Sequence, residues 1–470
     1  MQDTDLIQHI NSQKNKIQSG SPKIEIIAPC VLNDGIIAIG DIEKSELITI
    51  FEQEEKKLLF FVPASGSGSR MFDFLLSTAP DEVFEKDQSI LQFLNNLECF
   101  AFYDEELRLM HSKWKDGEMS SRKLIELIIG ASGKDFSSSP KGLIPFHLTE
   151  EGPLNAFQEH ILQGLLLEAH KTQFHFTIQE SFKSNFLSCL DELGKKFEND
   201  YYVDFSIQNP STDSYAFDES LNTIELQNGH LLRRPAGHGA LLENLIDLNN
   251  QIVLIKNIDN VQHLNSSEKS IEIWKTLCGL LLKVKNQLQQ LYEKPSLEGL
   301  LEFNQRYQLY TSEQLNMDDD AGQIKKLINR PLRISGMVHN EGKAGGGPFF
   351  VKTPNGDVSK QIIEAVQVSN DESQQKLLSQ STHFNTVMLV LDLYDFEGNK
   401  HDLKSFRNDN NYFVVNKMYQ GKNISFIELP GLWNGAMYDW NTLFVEIPID
   451  TFTPVKTVLD LLDSNHQPKK

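Results

Sequence analysis

Cysteine is scarce in this chain: Cys30, Cys99, Cys189 and Cys278 stand singly along 470 residues. No Cys-x-x-Cys pair exists among them, which excludes a zinc ribbon and a disulfide framework. They are read as reduced, mostly buried thiols. Cations are short as well, with 44 Lys and Arg against 65 Asp and Glu and a balance of −21. General nucleic-acid binding needs the opposite, a clustered surplus of positive charge. Long apolar runs are also missing. The N-terminal MQDTDLIQHINSQKNK lacks the apolar core of a secretory signal, and no later window reaches membrane-spanning length. The expectation is a cytoplasmic protein with neither membrane nor nucleic acid as partner. Two phosphate motifs are absent too, the Gly-Lys-Ser/Thr ending of a P-loop and the GxGxxG of dinucleotide folds.

What is present is a globular composition, 40% apolar, enough for a large core. Strand-like runs recur at 58–62, 173–178, 201–207, 252–258, 386–393 and 442–448, with helical stretches such as 154–168 and 181–197 between several of them. This alternation predicts an α/β fold with a mostly parallel central sheet flanked by helices. In such sheets ligands sit at the carboxyl ends of the strands. A helical stripe through Trp274, Leu277, Leu281, Val284, Leu288 and Leu291 marks an insertion at about 264–330, including a loop near 312–330 with Asp318, Asp319 and Asp320. Residues 1–55, a polar helix with the strand-like run Ile24–Leu32, are read as an N-terminal embellishment, 56–462 as the main domain and 463–470 as a tail.

Four segments carry chemistry. Ser65-Gly66-Ser67-Gly68-Ser69-Arg70 follows a predicted strand; small residues let backbone amides approach phosphate, and Arg70 can fork two oxygens. Lys141 is held between Pro140 and Pro145, a restricted cation suited to a phosphate. Arg234-Pro235-Ala236-Gly237-His238-Gly239 precedes a strand running from Ile252 to Asp259-Asn260, and Asp259 is the hard oxygen donor that magnesium prefers. Lys456 follows Pro454 in Phe452–Leu462 and precedes a helix. Taken singly these segments are also a turn, a surface lysine, a helix cap and a helix start.

In this order the four segments resemble the UDP-sugar pyrophosphorylases, the uridylyltransferase branch of the GT-A-like nucleotidyltransferases, which have a Rossmann-like fold. Gly66 to Met71 matches that family's glycine-rich loop ending in Thr-Arg-Met, with Ser69 in place of Thr. Pro140-Lys141, Pro235 to Gly239, Asp259-Asn260 and Phe452-Thr453-Pro454-Val455-Lys456 match its later motifs. Phe205 to Gln208 resembles its base-pocket segment, Ile362-Ile363-Glu364 and Phe384-Asn385-Thr386 its sugar-facing strands. Phe72-Asp73 and Ala240 depart from the pattern, and Gly345-Gly346-Gly347-Pro348 has no counterpart in it.

The resemblance implies a nucleoside triphosphate, UTP by the family pattern, joined to a sugar 1-phosphate with release of pyrophosphate. It implies Arg70, Lys141, Asp259 and Lys456 as catalytic residues, with Mg2+ on Asp259. Ser65, Gly66, Ser67, Gly68, Ser69, Gln208, Gly237 and His238 would bind the nucleotide, and Glu364 and Asn385 the sugar. The rival reading is a nucleotide-sugar-binding protein of the same fold without the reaction. A GT-A glycosyltransferase would show Asp-x-Asp at a strand end, whereas Asp392-Leu393-Tyr394-Asp395 has the wrong spacing.

Overall fold

A computed structural model describes residues 3–55, 57–167, 172–197, 201–340 and 346–469. Position 168 of the helix expected at 154–168, Gly345 and Lys470 lie outside these residues. The chain is α/β, and it divides into two compact units. The first comprises Met1–Lys56, Gln208–Leu254 and Thr276–Ile449; the second comprises Lys57–Ile207, Ile255–Lys275 and Asp450–Lys470.

In the second unit the strands Leu58–Pro63, Thr172–Ile178 and Tyr202–Ile207 run parallel and side by side, pairing Leu58 with Thr172 and Ile178 with Ile207. Every residue of Leu58–Val62 is buried, the continuous apolar pattern of a strand covered on both faces. The helix Ala156–Leu165 is buried along its whole length. It begins at a capping box in which Asn155 and Gln158 satisfy each other's backbone amides. Phenylalanines knit helix to sheet: Phe157 meets Phe176 edge-on at 4.6 Å, and Phe60 stacks on Phe174 at 5.8 Å. The apolar stretch after the Gly-Ser loop, Ser69–Leu76, is a 3₁₀ helix.

In the first unit Val31–Leu32, Gly35–Ile37, Asn441–Glu446 and Leu332–His339 are successive parallel neighbours, and His383–Asp392 joins them antiparallel to Leu332–His339. Residues 1–55, read from the sequence as an embellishment, supply two of these strands and a third, Ile26–Pro29, that pairs antiparallel with Gly347–Lys352. Gly347–Lys352 pairs in turn with Val358–Ile363.

Several local expectations are corrected. The strand starting at Ile252 closes at Ile255, because the backbone turns there and Asn260 N–H reaches back to the Asn257 carbonyl at 3.0 Å. Asp259 therefore lies in the turn beyond the strand. The long helical segment is two helices, Glu268–Glu293 and Leu297–Tyr307, broken at Pro295, which cannot continue a helix. The expected loop at 312–330 holds two short helices, Ser312–Leu315 and Ala321–Ile328. Asp320, exposed at the start of the second of them, caps it through a 2.7 Å bond from Gln323 N–H. Lys456 precedes a 3₁₀ helix, Val458–Leu462. Of the cysteines, Cys30 and Cys278 are buried, Cys189 is half-buried and Cys99 is exposed.

Candidate active site

Within the second unit, three segments remote in sequence converge. Lys141 Nζ donates to Asp259 Oδ2 at 3.1 Å and to the Val455 carbonyl at 2.9 Å. Lys456 Nζ donates to the same Oδ2 at 2.9 Å. The backbone closes the triangle, with Val455 N–H on the Asp259 carbonyl at 2.9 Å and Thr453 N–H on Asn260 Oδ1 at 3.0 Å. Local sequence explains the convergence. Pro140 and Pro454 are each one bridge of a short antiparallel contact, with Ser67 and with Asn260 respectively, and each sets the lysine just beyond it.

The electrostatics are unbalanced. The Asp259 side chain is 11% exposed and Lys141 12%, whereas Lys456 is 61% exposed. Burial opposes the Asp259 charge, but Lys141 and Lys456 outweigh it and hold the carboxyl below the usual carboxylate range. Burial lowers the Lys141 ammonium, and Asp259 offsets this only in part, because the carboxylate is shared with Lys456 while Lys456 and Arg70 add repulsion. Two lysines thus share one carboxylate, with Arg70 near enough to act on Lys141, in a chain whose net charge is −21. Such a cluster gains from an anion.

The Gly-Ser loop borders this triangle. Lys141 N–H donates to the Gly66 carbonyl at 3.1 Å and Gly68 N–H to the Ser139 carbonyl at 2.8 Å. A Cβ on Gly68 would lie 2.5 Å from Ile144 Cδ1 and 3.0 Å from the Ser139 carbonyl oxygen, so the loop packs closely at this glycine. Two of the loop amides are engaged within the protein. Gly68 N–H is committed to Ser139, and Ser69 N–H to Ser67 Oγ at 3.1 Å. Arg70 is exposed on the 3₁₀ helix that follows. Gln179, unsuspected from sequence, holds the Ser65 carbonyl at 2.6 Å from the end of the neighbouring strand.

The first unit carries a second cluster. Gly237 has φ of 73°, and a Cβ there would lie 2.7 Å from Glu428 Oε2. His238 stacks on Trp433 with ring centroids 4.2 Å apart, and its Nδ1 accepts from Leu432 N–H at 3.0 Å. The proton therefore sits on Nε2, which lies 4.0 Å from Glu364 Oε1. Burial of the ring lowers the His238 pKa. Asn434 Nδ2 donates to Glu364 Oε1 at 2.9 Å. Burial raises the Glu428 carboxyl; Lys417 offsets this in part and the Glu364 charge adds to it. Asn385 N–H donates to the Gly346 carbonyl at 2.7 Å, and Gly346 in turn borders Glu364. Its Oδ1 accepts from Ser335 Oγ and from Val387 N–H, the latter at 3.0 Å, which supports the left-handed φ of 58° at Val387. The carbonyl end of Asn385 is thus engaged internally. Gln208 directly follows the strand Tyr202–Ile207, with its Nε2 buried and lacking a hydrogen-bond partner. Trp433, Asn434 and Glu428 were not anticipated; the turn residues Pro430-Gly431 and Asn434-Gly435 around a tryptophan were the available signal.

Among the described residues no group of three or more His, Cys, Asp or Glu side chains could hold a metal ion. Asp259 Oδ1 is nevertheless buried without a hydrogen-bond partner. One such carboxylate oxygen suits magnesium, which is commonly held by one or two carboxylates plus substrate phosphates. Among the described residues no helix is long and apolar enough to cross a membrane.

A family model described as Domain of unknown function (DUF4301) matches residues 2–467. No curated protein matches the chain. Among solved structures, it is similar to UDP-glucose pyrophosphorylase from Leishmania major at 12% identity and a TM-score of 0.45, covering 98% of this chain and 74% of that one. It is also similar to UDP-glucose phosphorylase from Trypanosoma brucei at 14% identity and a TM-score of 0.47, covering 97% and 73% of the two chains.

Proposed function

The chain belongs to the family that this model describes, and since the description names no activity we propose from the site itself that it is a nucleotidyltransferase. The reaction joins a nucleoside triphosphate, UTP by the sequence resemblance, to a sugar 1-phosphate and releases pyrophosphate. The observation that carries this reading is the convergence of Lys141 and Lys456 on one buried carboxylate, with Arg70 close enough to repel Lys141.

The sugar phosphate is already an anionic nucleophile, so this chemistry needs no general base; it needs positioning and charge neutralisation. Lys141, restrained by Pro140 and by Val455, exchanges part of its contact with Asp259 for oxygens of the triphosphate. Lys456, flexible and exposed, meets the sugar phosphate. Arg70 and the loop Ser65–Ser69 take the departing pyrophosphate. Asp259 Oδ1 would hold Mg2+, which would supply charge neutralisation when bound. The resemblance gives Gln208, Gly237 and His238 to the base, and Glu364 and Asn385 to the sugar.

The test is incubation with magnesium, each nucleoside triphosphate and a panel of sugar 1-phosphates, with pyrophosphate release as the readout. UTP with at least one sugar 1-phosphate is expected to release pyrophosphate. Silence across the panel with UDP-sugar binding retained overturns the reaction and leaves a binding protein.

A further inference from the structure

Behind the charged triangle, the same three segments close a second one, built of histidines. The first segment runs from Lys141 into the strand Pro145–Thr149 and carries His147; the second runs from Asp259 to His263; the third runs from Lys456 to His466. His147 Nε2 lies 2.9 Å from His466 Nδ1, joining first to third. His263 Nε2 donates to the Leu148 carbonyl at 3.0 Å, joining second to first. The His263 backbone N–H donates to the Asn465 carbonyl at 2.9 Å, joining second to third. All three side chains are buried. The His147 ring lies 5.2 Å from that of His466 and 5.5 Å from that of His263, centroid to centroid.

The helix Ala156–Leu165 anchors the triangle. Glu159 Oε1 lies 2.8 Å from His147 Nδ1, and Glu159 Oε2 accepts from Gln163 Nε2 at 3.0 Å. A carboxylate only accepts, so His147 Nδ1 carries a proton toward Glu159, and its Nε2 shares one hydrogen bond with His466 Nδ1. The next residue, His160, reaches the Ile258 carbonyl at 3.2 Å, and Gln163 the Gln262 carbonyl at 2.6 Å, so this helix also pins the Asp259 segment. The buried Lys256 also faces Glu159. Buried rings tied to side chains and backbone on several sides in this way form a satisfied network, which makes them a stiff spacer.

We propose that His147, His263 and His466 are positioning residues: they fix the three segments at the spacing that lets Lys141 and Lys456 share Asp259 and, with it, a phosphate chain. The second half of this rests on the functional reading above; the first half does not.

The test uses the full chain with His466→Ala, reading amide hydrogen exchange over residues 453–460 and calorimetric titration with inorganic pyrophosphate. Loss of one buried hydrogen bond is expected to cost about tenfold in protection of that segment and about tenfold in pyrophosphate affinity. Exchange in the strands Leu58–Pro63 and Thr172–Ile178 stays unchanged, which controls for folding. His466→Asn places an amide, able to donate or accept, where Nδ1 stood and restores both readouts. Unchanged protection of 453–460 in His466→Ala, or no rescue by Asn, overturns the proposal. If the exchange results hold while the native chain ignores pyrophosphate, the positioning role stands and the functional reading falls.

Discussion

Replacing Asp259 by Asn removes the charge that two lysines share and leaves the shape nearly intact. The cost depends on which partner is buried. Lys456, 61% exposed, contributes at most ~1 kcal/mol through its pairing. Lys141, 12% exposed, is left as an uncompensated buried cation, a change that costs about 3–5 kcal/mol. Its bond to the Val455 carbonyl at 2.9 Å survives, which places the expected loss near the lower limit, about 3 kcal/mol at pH 7. The pH dependence has a definite sign. In the variant the folded-state pKa of Lys141 lies below its ordinary 10.5, so the unfolded chain binds more protons. Stability falls as pH drops and returns as pH rises toward that value. The assay is amide hydrogen exchange over 453–456, converted to a local opening free energy at pH 7 and pH 9. Inorganic pyrophosphate without magnesium adds a second readout. It should bind Asp259→Asn more tightly than the native chain, because the native carboxylate competes for the same two ammonium groups. At a hundredfold excess over Kd it returns about 2.7 kcal/mol. A loss below ~1 kcal/mol, or weaker pyrophosphate binding by the variant, refutes the account of the triangle as a charge-compensated anion site.

Lys456→Met should leave stability within ~1 kcal/mol, because the side chain is mostly exposed, while pyrophosphate release falls by about two to three orders of magnitude; equal losses of both would place Lys456 in the framework instead. Gly68→Ala forces a Cβ to 2.5 Å from Ile144 Cδ1, and should cost about 1–3 kcal/mol in the loop and raise the apparent KM for the triphosphate, as measured by thermal unfolding and initial rates. His466 is held by burial, and then by His147 and His263, to a pKa of about 3 from 6.5. Its neutral form supports the folded state above pH 6.5, and that support is lost as pH falls toward 3. At pH 5 the docked-to-undocked ratio of the C-terminal segment should be about twenty-fivefold lower than at pH 7 from this residue alone, read by exchange over 461–467.

The strand runs at 173–178, 201–207 and 442–448 and the helices near 154–168 and 181–197 were legible because burial writes a period into adjacent residues. So was the α/β class that follows from their alternation. Proline-lysine pairs at Lys141 and Lys456 and the small residues of the loop were visible as local chemistry. The first unit's Trp433, Asn434 and Glu428 were not, since a lone aromatic or carboxylate has no period and its role depends on what packs against it. Likewise, nothing near Asn385 announced that its Oδ1 would be spent supporting Val387.

By itself the sequence determined the α/β class, several of the strands and helices, and where short, restrained loops present cations. The tertiary structure decided that Lys141 and Lys456 share Asp259, and that His147, His263 and His466 pair off behind them. The physical reason is one of range. Backbone periodicity and turn chemistry act between neighbours, whereas pairing charges hundreds of residues apart depends on strand order, and the protonation of a buried histidine depends on partners that only the finished packing supplies.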